Sequence, residues 1–459
     1  MESFAQKARV AAQQLAAAPL DAKNGVLQLF KEELTSHRPQ IEAANAQDKE
    51  AAKKATADGS MSSSLFKRLD VTGAKFDTLL KGIDDVINLE DPVGKCQFSS
   101  HLSDGLDLYR VSCPIGVLAI IFEARPEAAV QISSLAIKSG NALILKGGKE
   151  ATHSNHAINV ALSSALKKAH EKWGIPLESV QLIDTREEVN SILKMDKYID
   201  LVIPRGGNAL VSYIKNNTSI PVLGHADGIC SVFVDESAEL GLALDVVQDS
   251  KLNYVAACNA LETLLVHKDM APKFLPQLAG SLLPLGVTFK ADETALPLLL
   301  QGAETGEAAK SKDKVQAATA EDFDTEFLCE TMAVKVVGTM QEAIDHINLH
   351  GSHHTDCIVS ADSQNAERFM TAVDSAGVYH NASTRFADGF RYGFGAEVGI
   401  STNRIHSRGP VGLEGLVIYK YRLYGKGHTV AAFNSGERQY SHKTFQGPPD
   451  VEKIAELHN

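Results

Sequence analysis

Cys258 is the residue whose context points most directly to chemistry. It stands in the loop Asn253-Tyr-Val-Ala-Ala-Cys-Asn259, after a predicted helix (Leu242–Leu252) and before an apolar strand, and small Ala256 and Ala257 leave room beside it. A cysteine held where backbone N–H groups converge loses its proton more readily and attacks an electrophilic carbonyl. The alternative is a buried small hydrophobe, the common fate of a free cysteine. Spacing alone leaves both open. Cys113, Cys230 and Cys357 sit within apolar strand patterns and read as structural.

Two basic, glycine-containing turns come next. Lys146-Gly-Gly-Lys149 and Pro204-Arg205-Gly206-Gly207 each close a predicted strand and precede a predicted helix. Glycine lets a backbone approach a ligand closely, and a helix N-terminus with cations beside it suits phosphate or ribose oxygens. The glycine-rich Gly393-Phe-Gly395-Ala-Glu-Val-Gly399 lacks dinucleotide-fingerprint spacing and reads as a tight loop. His350-Gly-Ser-His353-His354-Thr-Asp356-Cys357 lacks the separated ligand pairs of a closed zinc site, so no metal is expected.

The elements that must position these residues follow from periodicity. The first ninety residues read as Ala-rich helices. Strands are predicted at Ile115–Phe122, Ala142–Lys146, Val180–Asp184, Asp200–Pro204, Ile220–Leu223 and Ser231–Val234. Helices at Pro126–Lys138, Ser154–Trp173, Glu187–Met195 and Asn208–Asn216 lie between them. That alternation implies a parallel, doubly wound α/β sheet with ligands at its carboxyl edge. A second α/β segment from about Asn259 to Asn381 contains strands Thr263–His267, Ala333–Val337 and Asp356–Val359 and a helix at Met340–Leu349; Gly302–Glu321 reads as a surface loop or short exposed helix. Lys95–Ser112 and Gly415–Phe433 read as protruding β-ribbons, turning at Ser103-Asp104-Gly105 and Gly425-Lys426-Gly427. A hairpin lacks a core of its own, so each should pack on another subunit or on the other ribbon.

Composition narrows the class. In 459 residues, 45 Lys plus Arg against 57 Asp plus Glu leave a formal charge of −12, and 44% of the chain is hydrophobic. That is an ordinary globular composition. An acidic chain with no basic stripe is not expected to bind nucleic acid. Its longest apolar runs, such as Ile115–Phe122, fall well short of the ~20 residues that span a bilayer. Six scattered cysteines without a C-x-x-C pair fit a reducing, cytoplasmic setting.

The stretches FEARPEA (Phe122–Ala128), KSGNALILKGGKEA (Lys138–Ala151), DLVIPRGG (Asp200–Gly207), ACNALETLLVH (Ala257–His267), TEFL (Thr325–Leu328) and HNASTRFADG (His380–Gly389) occur in one consistent order, followed by GFGAEVGIST and HSRGPVGLEGL. Together they resemble the gamma-glutamyl phosphate reductases, a family within the aldehyde dehydrogenase superfamily, from about residue 5 to residue 433. The resemblance implies an α/β, aldehyde dehydrogenase-like fold with a Rossmann-type cofactor domain, a second α/β catalytic domain and a β-ribbon oligomerisation element. On the sequence these map to residues 1–95 and 113–225 for cofactor, 226–384 for catalysis, and 96–112 with 403–433 for the ribbon. Residues 385–402 return to the cofactor domain and 434–459 form a polar tail.

The same resemblance implies reduction of L-glutamyl 5-phosphate to L-glutamate 5-semialdehyde by NADPH, the second step of proline biosynthesis. Cys258 falls on its nucleophile position, and the Cys258 N–H with Asn259 on its oxyanion hole. Lys146 matches a lysine that contacts the adenosine ribose and Lys149 favours a 2′-phosphate; the basic turn chemistry noted above adds Arg205 and Gly206 as cofactor-binding candidates. Glu326-Phe327 matches a pair that holds the nicotinamide ribose. For substrate, Arg125 is a candidate for the phosphate, and Asn381, Ser383 and Arg385 for the amino-acid end; the alternative for Arg385 is a loop brace. Where hydrolytic relatives carry a water-activating glutamate, Val222 stands in Pro221-Val-Leu-Gly-His225. Without that base a thioester resists hydrolysis, which suits phosphate as acyl partner. A homo-oligomer is expected. With no kinase module ahead of residue 1, the chain should work alone, receiving its labile substrate from a separate glutamate 5-kinase.

Overall fold

Val117–Phe122 is apolar at every position and buried on both faces. Side chains that alternate across a strand then need cover on both sides. In the computed structural model, which describes residues 1–59, 61, 63–225, 227–445 and 447–448, helices supply it. Leu118, Ile120 and Phe122 share one core with residues of Leu20–Ser36, Pro126–Lys138 and Thr152–Trp173. Val117, Ala119 and Ile121 face the opposite core, with Ala8, Ala11 and Ala12 of Glu2–Leu15.

The sheet is parallel, in the order Val180–Leu182, Ala142–Lys146, Val117–Phe122, Leu201–Arg205. Strands are added outward in both directions from Val117–Phe122. The switch point therefore lies between that strand and Leu201–Arg205, where two loops diverge and leave a crevice. Ile220–Leu223 does not form a full strand. It makes a single bridge, Val202 to Val222, because Pro221 has no N–H to continue a ladder.

Cys230–Val234 belongs to a second sheet, not to the first with which sequence order groups it. This sheet has seven parallel strands in the order Val315–Ala317, Thr288–Ala291, Thr331–Val337, Leu261–His267, Cys230–Val234, Thr355–Val359, Gly377–His380. Leu264 and Val266 enter one core and Leu265 the other. Three of its strands were not anticipated, Thr288–Ala291, Val315–Ala317 and Gly377–His380. At three or four residues each, they are too short to show a period. The second of them, with the 3-10 segment Gly306–Lys314, occupies what reads as a polar loop.

The third sheet corrects the ribbon reading. Cys96–Ser103 and Leu106–Pro114 form the anticipated hairpin. Val417–Tyr424 pairs antiparallel with Leu106–Pro114 as a single strand, and beyond Gly427 the chain forms the helix Val430–Asn434 instead of a return strand. The other edge is Lys443–Phe445, from the segment read as a loose tail, paired with Cys96–Ser103. The two ribbons thus pack on each other. Residues 446 and 449–459 of that tail lie outside the described residues. Among the described residues no helix is long and apolar enough to cross a membrane.

Candidate active site

A cleft of about 720 Å³ opens at the switch point of the first sheet. Glu123 and Arg125 reach it from the loop after Val117–Phe122, and Arg205, Gly206 and Gly207 from the end of Leu201–Arg205. Its other wall comes from the second-sheet segment, with Cys258, Asn259, Glu326 and Arg385.

Cys258 lies in the loop between the helix Leu240–Leu252 and the strand Leu261–His267. The two ends of that loop are joined underneath. Lys251 Nζ donates to Glu262 Oε2 at 2.7 Å, and neither side chain is exposed. The second Glu262 oxygen accepts the Leu328 N–H at 3.1 Å, which ties the Glu326 segment to the same anchor. Burial pushes the Glu262 carboxyl up to about 7, against the pull of Lys251.

The loop's carbonyls are occupied. Cys230 Sγ donates to the Cys258 carbonyl at 3.3 Å, and Thr384 Oγ1 to the Asn259 carbonyl at 2.7 Å. Gly228 packs directly beneath; a Cβ there would stand 2.0 Å from the Cys258 carbonyl oxygen. Among the described residues, the N–H groups of Cys258 and Asn259 have no acceptor. Donors left free beside a thiol are what a developing oxyanion requires. The Asn259 side chain is used otherwise: its Nδ2 donates to the Ala387 carbonyl at 2.9 Å.

The cleft combines both signs of charge. Arg205 donates from Nη1 to the Glu397 carbonyl at 3.1 Å, and Arg205 and Arg385 both line the cleft together with Cys258. Arg385 is only 9% exposed, with Nε on Asn253 Oδ1 at 3.4 Å and its guanidinium over the Tyr254 ring. Burial pushes the Glu326 carboxyl up, while the Gly228 N–H and His225 act to lower it. Burial also lowers the His225 imidazole, whose Nδ1–H donates to the Ile400 carbonyl at 2.9 Å.

Seven of the sequence-derived candidates therefore converge on one cleft: Arg125, Arg205, Gly206, Cys258, Asn259, Glu326 and Arg385. Lys146 and Lys149 stand apart. Lys146 pairs in register with Ile121 on the same carboxyl edge, and Lys149 opens the 3-10 turn before Thr152–Trp173. Phe327 does not line the cleft; Leu328 does. Asn381 and Ser383 do not reach it either. Both ends of the Asn381 amide are bonded to the Ser360 backbone, and Ser383 Oγ accepts from Arg385 N and Ser250 Oγ. They brace the Arg385 loop. Where the sequence match puts Val222 in place of the water-activating glutamate, it is the adjacent Leu223, also apolar, that lines the cleft.

Sequence reasoning missed the Lys251–Glu262 pair, His225, His354 and Glu397. A lone Glu262 inside the otherwise apolar Leu261–His267 was the available signal for the first. The His350–His354 run disperses: His350 pairs with Asp324, His353 bonds the Asp374 carbonyl, and His354 turns inward.

Comparison with known proteins places this geometry. Residues 1–303 match the model of the aldehyde dehydrogenase family. A probable gamma-glutamyl phosphate reductase of Schizosaccharomyces pombe is 46% identical over 460 residues, covering 100% of this chain and 99% of the relative. A gamma-glutamyl phosphate reductase of Acetivibrio thermocellus is 47% identical over 442 residues, covering 96% and 97%. The crystal structure of gamma-glutamyl phosphate reductase from Thermotoga maritima superposes with a TM-score of 0.85 at 39% identity, over 93% of this chain and 99% of that one.

Proposed function

The chain belongs to the aldehyde dehydrogenase family, among the gamma-glutamyl phosphate reductases, and from that premise we propose how its cleft carries the reaction. The enzyme is an oxidoreductase that converts L-glutamyl 5-phosphate to L-glutamate 5-semialdehyde with release of phosphate, the second step of proline biosynthesis. The observation that carries the residue assignment is the pair of N–H groups at Cys258 and Asn259, without an acceptor among the described residues, in a cleft also lined by Arg205 and Arg385.

The Cys258 thiolate attacks C5 of the acyl phosphate, and the C5–O bond to phosphate breaks, leaving a thioester on Sγ. The Cys258 and Asn259 N–H groups hold the oxyanion in that step and again when the carbonyl is reduced. Arg125 takes the departing phosphate and Arg385 the α-carboxylate, each as a planar bidentate donor. Leu223 offers no base to activate water, so the thioester survives until it is reduced.

The cofactor is a nicotinamide dinucleotide, which when bound supplies the hydride. The residues present fit it: Gly206 leaves backbone open where a Cβ would meet Glu123 Oε2 at 2.3 Å, and the cations of Lys146 and Lys149 stand on the same carboxyl edge. Glu326, on the cleft wall, would hold the nicotinamide ribose. Lys149, at the entry to a helix, favours the 2′-phosphate of NADPH over NADH.

The assignment is tested by semialdehyde oxidation with and without phosphate or arsenate. Wild type should need the anion, Cys258→Ser should lose turnover, and Arg385→Ala should raise KM by about 10–100-fold. Turnover without any anion would favour a hydrolytic dehydrogenase. An unchanged KM would return Arg385 to the role of a loop brace.

Val417–Tyr424 is an edge strand with Tyr419, Tyr421 and Leu423 exposed. An apolar edge of that kind invites pairing, and a second copy of the chain is its proposed cover. Light scattering on Tyr421→Glu checks this; an unchanged oligomer would refute it. Direct transfer from a glutamate 5-kinase would show as a coupled rate that an inert trap for glutamyl phosphate does not reduce.

A further inference from the structure

Two histidines that the reaction scheme does not use stand beside Cys258. One ring nitrogen of His225, one of His354 and the Cys258 sulfur all lie within 4.8 Å of one another. They arrive from three different segments: the crossover between the sheets, the Cys258 loop and the residue before Thr355–Val359. No sequence spacing could group them.

Both rings are hydrogen-bonded from behind at Nδ1. His225 Nδ1–H donates to the Ile400 carbonyl at 2.9 Å, which leaves Nε2 with a lone pair. His354 Nδ1 bonds Thr355 Oγ1 at 2.9 Å, and its Nε2, on a side chain only 1% exposed, has no partner among the described residues. The two rings meet edge to face, with centroids 5.1 Å apart. An unsatisfied buried nitrogen is costly unless something occupies it. A histidine that donates Nδ1–H to a carbonyl or hydroxyl oxygen holds a lone pair at Nε2, the state in which it ligates metals; for His354 this is the tautomer in which Thr355 Oγ1 is the acceptor.

We propose that His225, His354 and Cys258 form a site for a borderline-soft divalent cation of the zinc class, and that its binding switches the enzyme off by capturing the Cys258 thiolate. Two imidazoles and one thiolate are the donor set that selects zinc over magnesium or calcium. A tetrahedral zinc spaces its donors about 3.5 Å apart, so small side-chain rotations close the trio and leave a fourth position for water. The captured sulfur cannot form the thioester, and a chelator restores it. The inhibitory consequence rests on Cys258 being the nucleophile; the binding site itself does not.

Co²⁺ serves as the optical probe, with the reduced, EDTA-treated full-length protein. Wild type should bind one Co²⁺ with a thiolate charge-transfer band in the near ultraviolet, and zinc should displace it. Cys258→Ser should abolish the band. His354→Gln and His225→Gln should each weaken binding by about tenfold or more; His225→Gln, outside the core, covers the case in which the buried substitution fails to fold. A band that persists in Cys258→Ser, or affinity unchanged in a folded histidine variant, would overturn the site. Reductase activity measured in EDTA is the separate check on the nucleophile. If Cys258→Ser kept that activity while losing the cobalt band, the metal site would stand and the catalytic assignment would fall.

Discussion

Lys251 and Glu262 meet at 2.7 Å with neither side chain exposed to solvent, one residue on each flank of the loop that presents Cys258. The pair closes that loop from below, and through Leu328 it also holds the segment of Glu326. One buried contact thus sets the distance between the thiol and the residue proposed to hold the cofactor ribose.

Breaking the pair on one side leaves a buried charge without a partner. Lys251→Met should cost about 3–5 kcal/mol in urea unfolding. Lys251→Met combined with Glu262→Leu should recover much of that, because an apolar replacement removes both charges together. Activity should remain low in the double variant, since the Leu328 N–H has lost its acceptor. A double variant less stable than the single would show that the pair contributes net stability.

The contribution of two buried carboxyls to stability should fall as pH rises from about 4 to about 7. Glu262 is pushed up to about 7 and buried Asp356 to about 6. Both folded values lie above the ordinary carboxyl range, so in this window these two groups hold more protons in the native state than in the unfolded chain, while burial lowers the His346 imidazole to about 3 and acts in the opposite sense. The carboxyl contribution is present below the unfolded values and is lost as pH climbs through the folded ones. Urea midpoints of wild type and Glu262→Gln compared across the window isolate the first group. Wild type should lose stability relative to the variant as pH rises, and a constant difference would reject the assignment.

Gly228→Ala should hurt activity more than stability. The added Cβ, 2.0 Å from the Cys258 carbonyl oxygen, must push the loop away from its place. A displacement near 1 Å at the reacting atom costs about 100-fold in rate, whereas such overpacking costs about 1–3 kcal/mol of stability. Wild-type kcat in a folded Gly228→Ala protein would contradict the close approach.

Lys149→Glu should lower the ratio of kcat/KM for NADPH over NADH by about tenfold or more, because a cation facing the 2′-phosphate becomes an anion. Loss confined to NADPH is the expected pattern. Equal losses for both cofactors would mean that Lys149 supports the turn and does not read the phosphate.

The sequence by itself determined the layered α/β plan and the boundaries of two of its helices: Pro126–Lys138 and Asn208–Asn216 were legible to the residue, because proline starts, apolar periods and polar turns are local. It also pointed to Cys258 as the candidate nucleophile, through its small neighbours and the family resemblance. The tertiary structure decided what local pattern cannot encode. It turned Leu223 to the cleft in place of Val222, and engaged Asn381 with the Ser360 backbone outside the cleft lining. It drew Lys443–Phe445 from the tail into the third sheet, where edge hydrogen bonds outweigh a polar composition. Lys251 against Glu262, and His225 and His354 against Cys258, are likewise decided only in the fold. Charges and lone pairs act across a few ångströms of space, and residues brought that close by different strands leave no period along the chain.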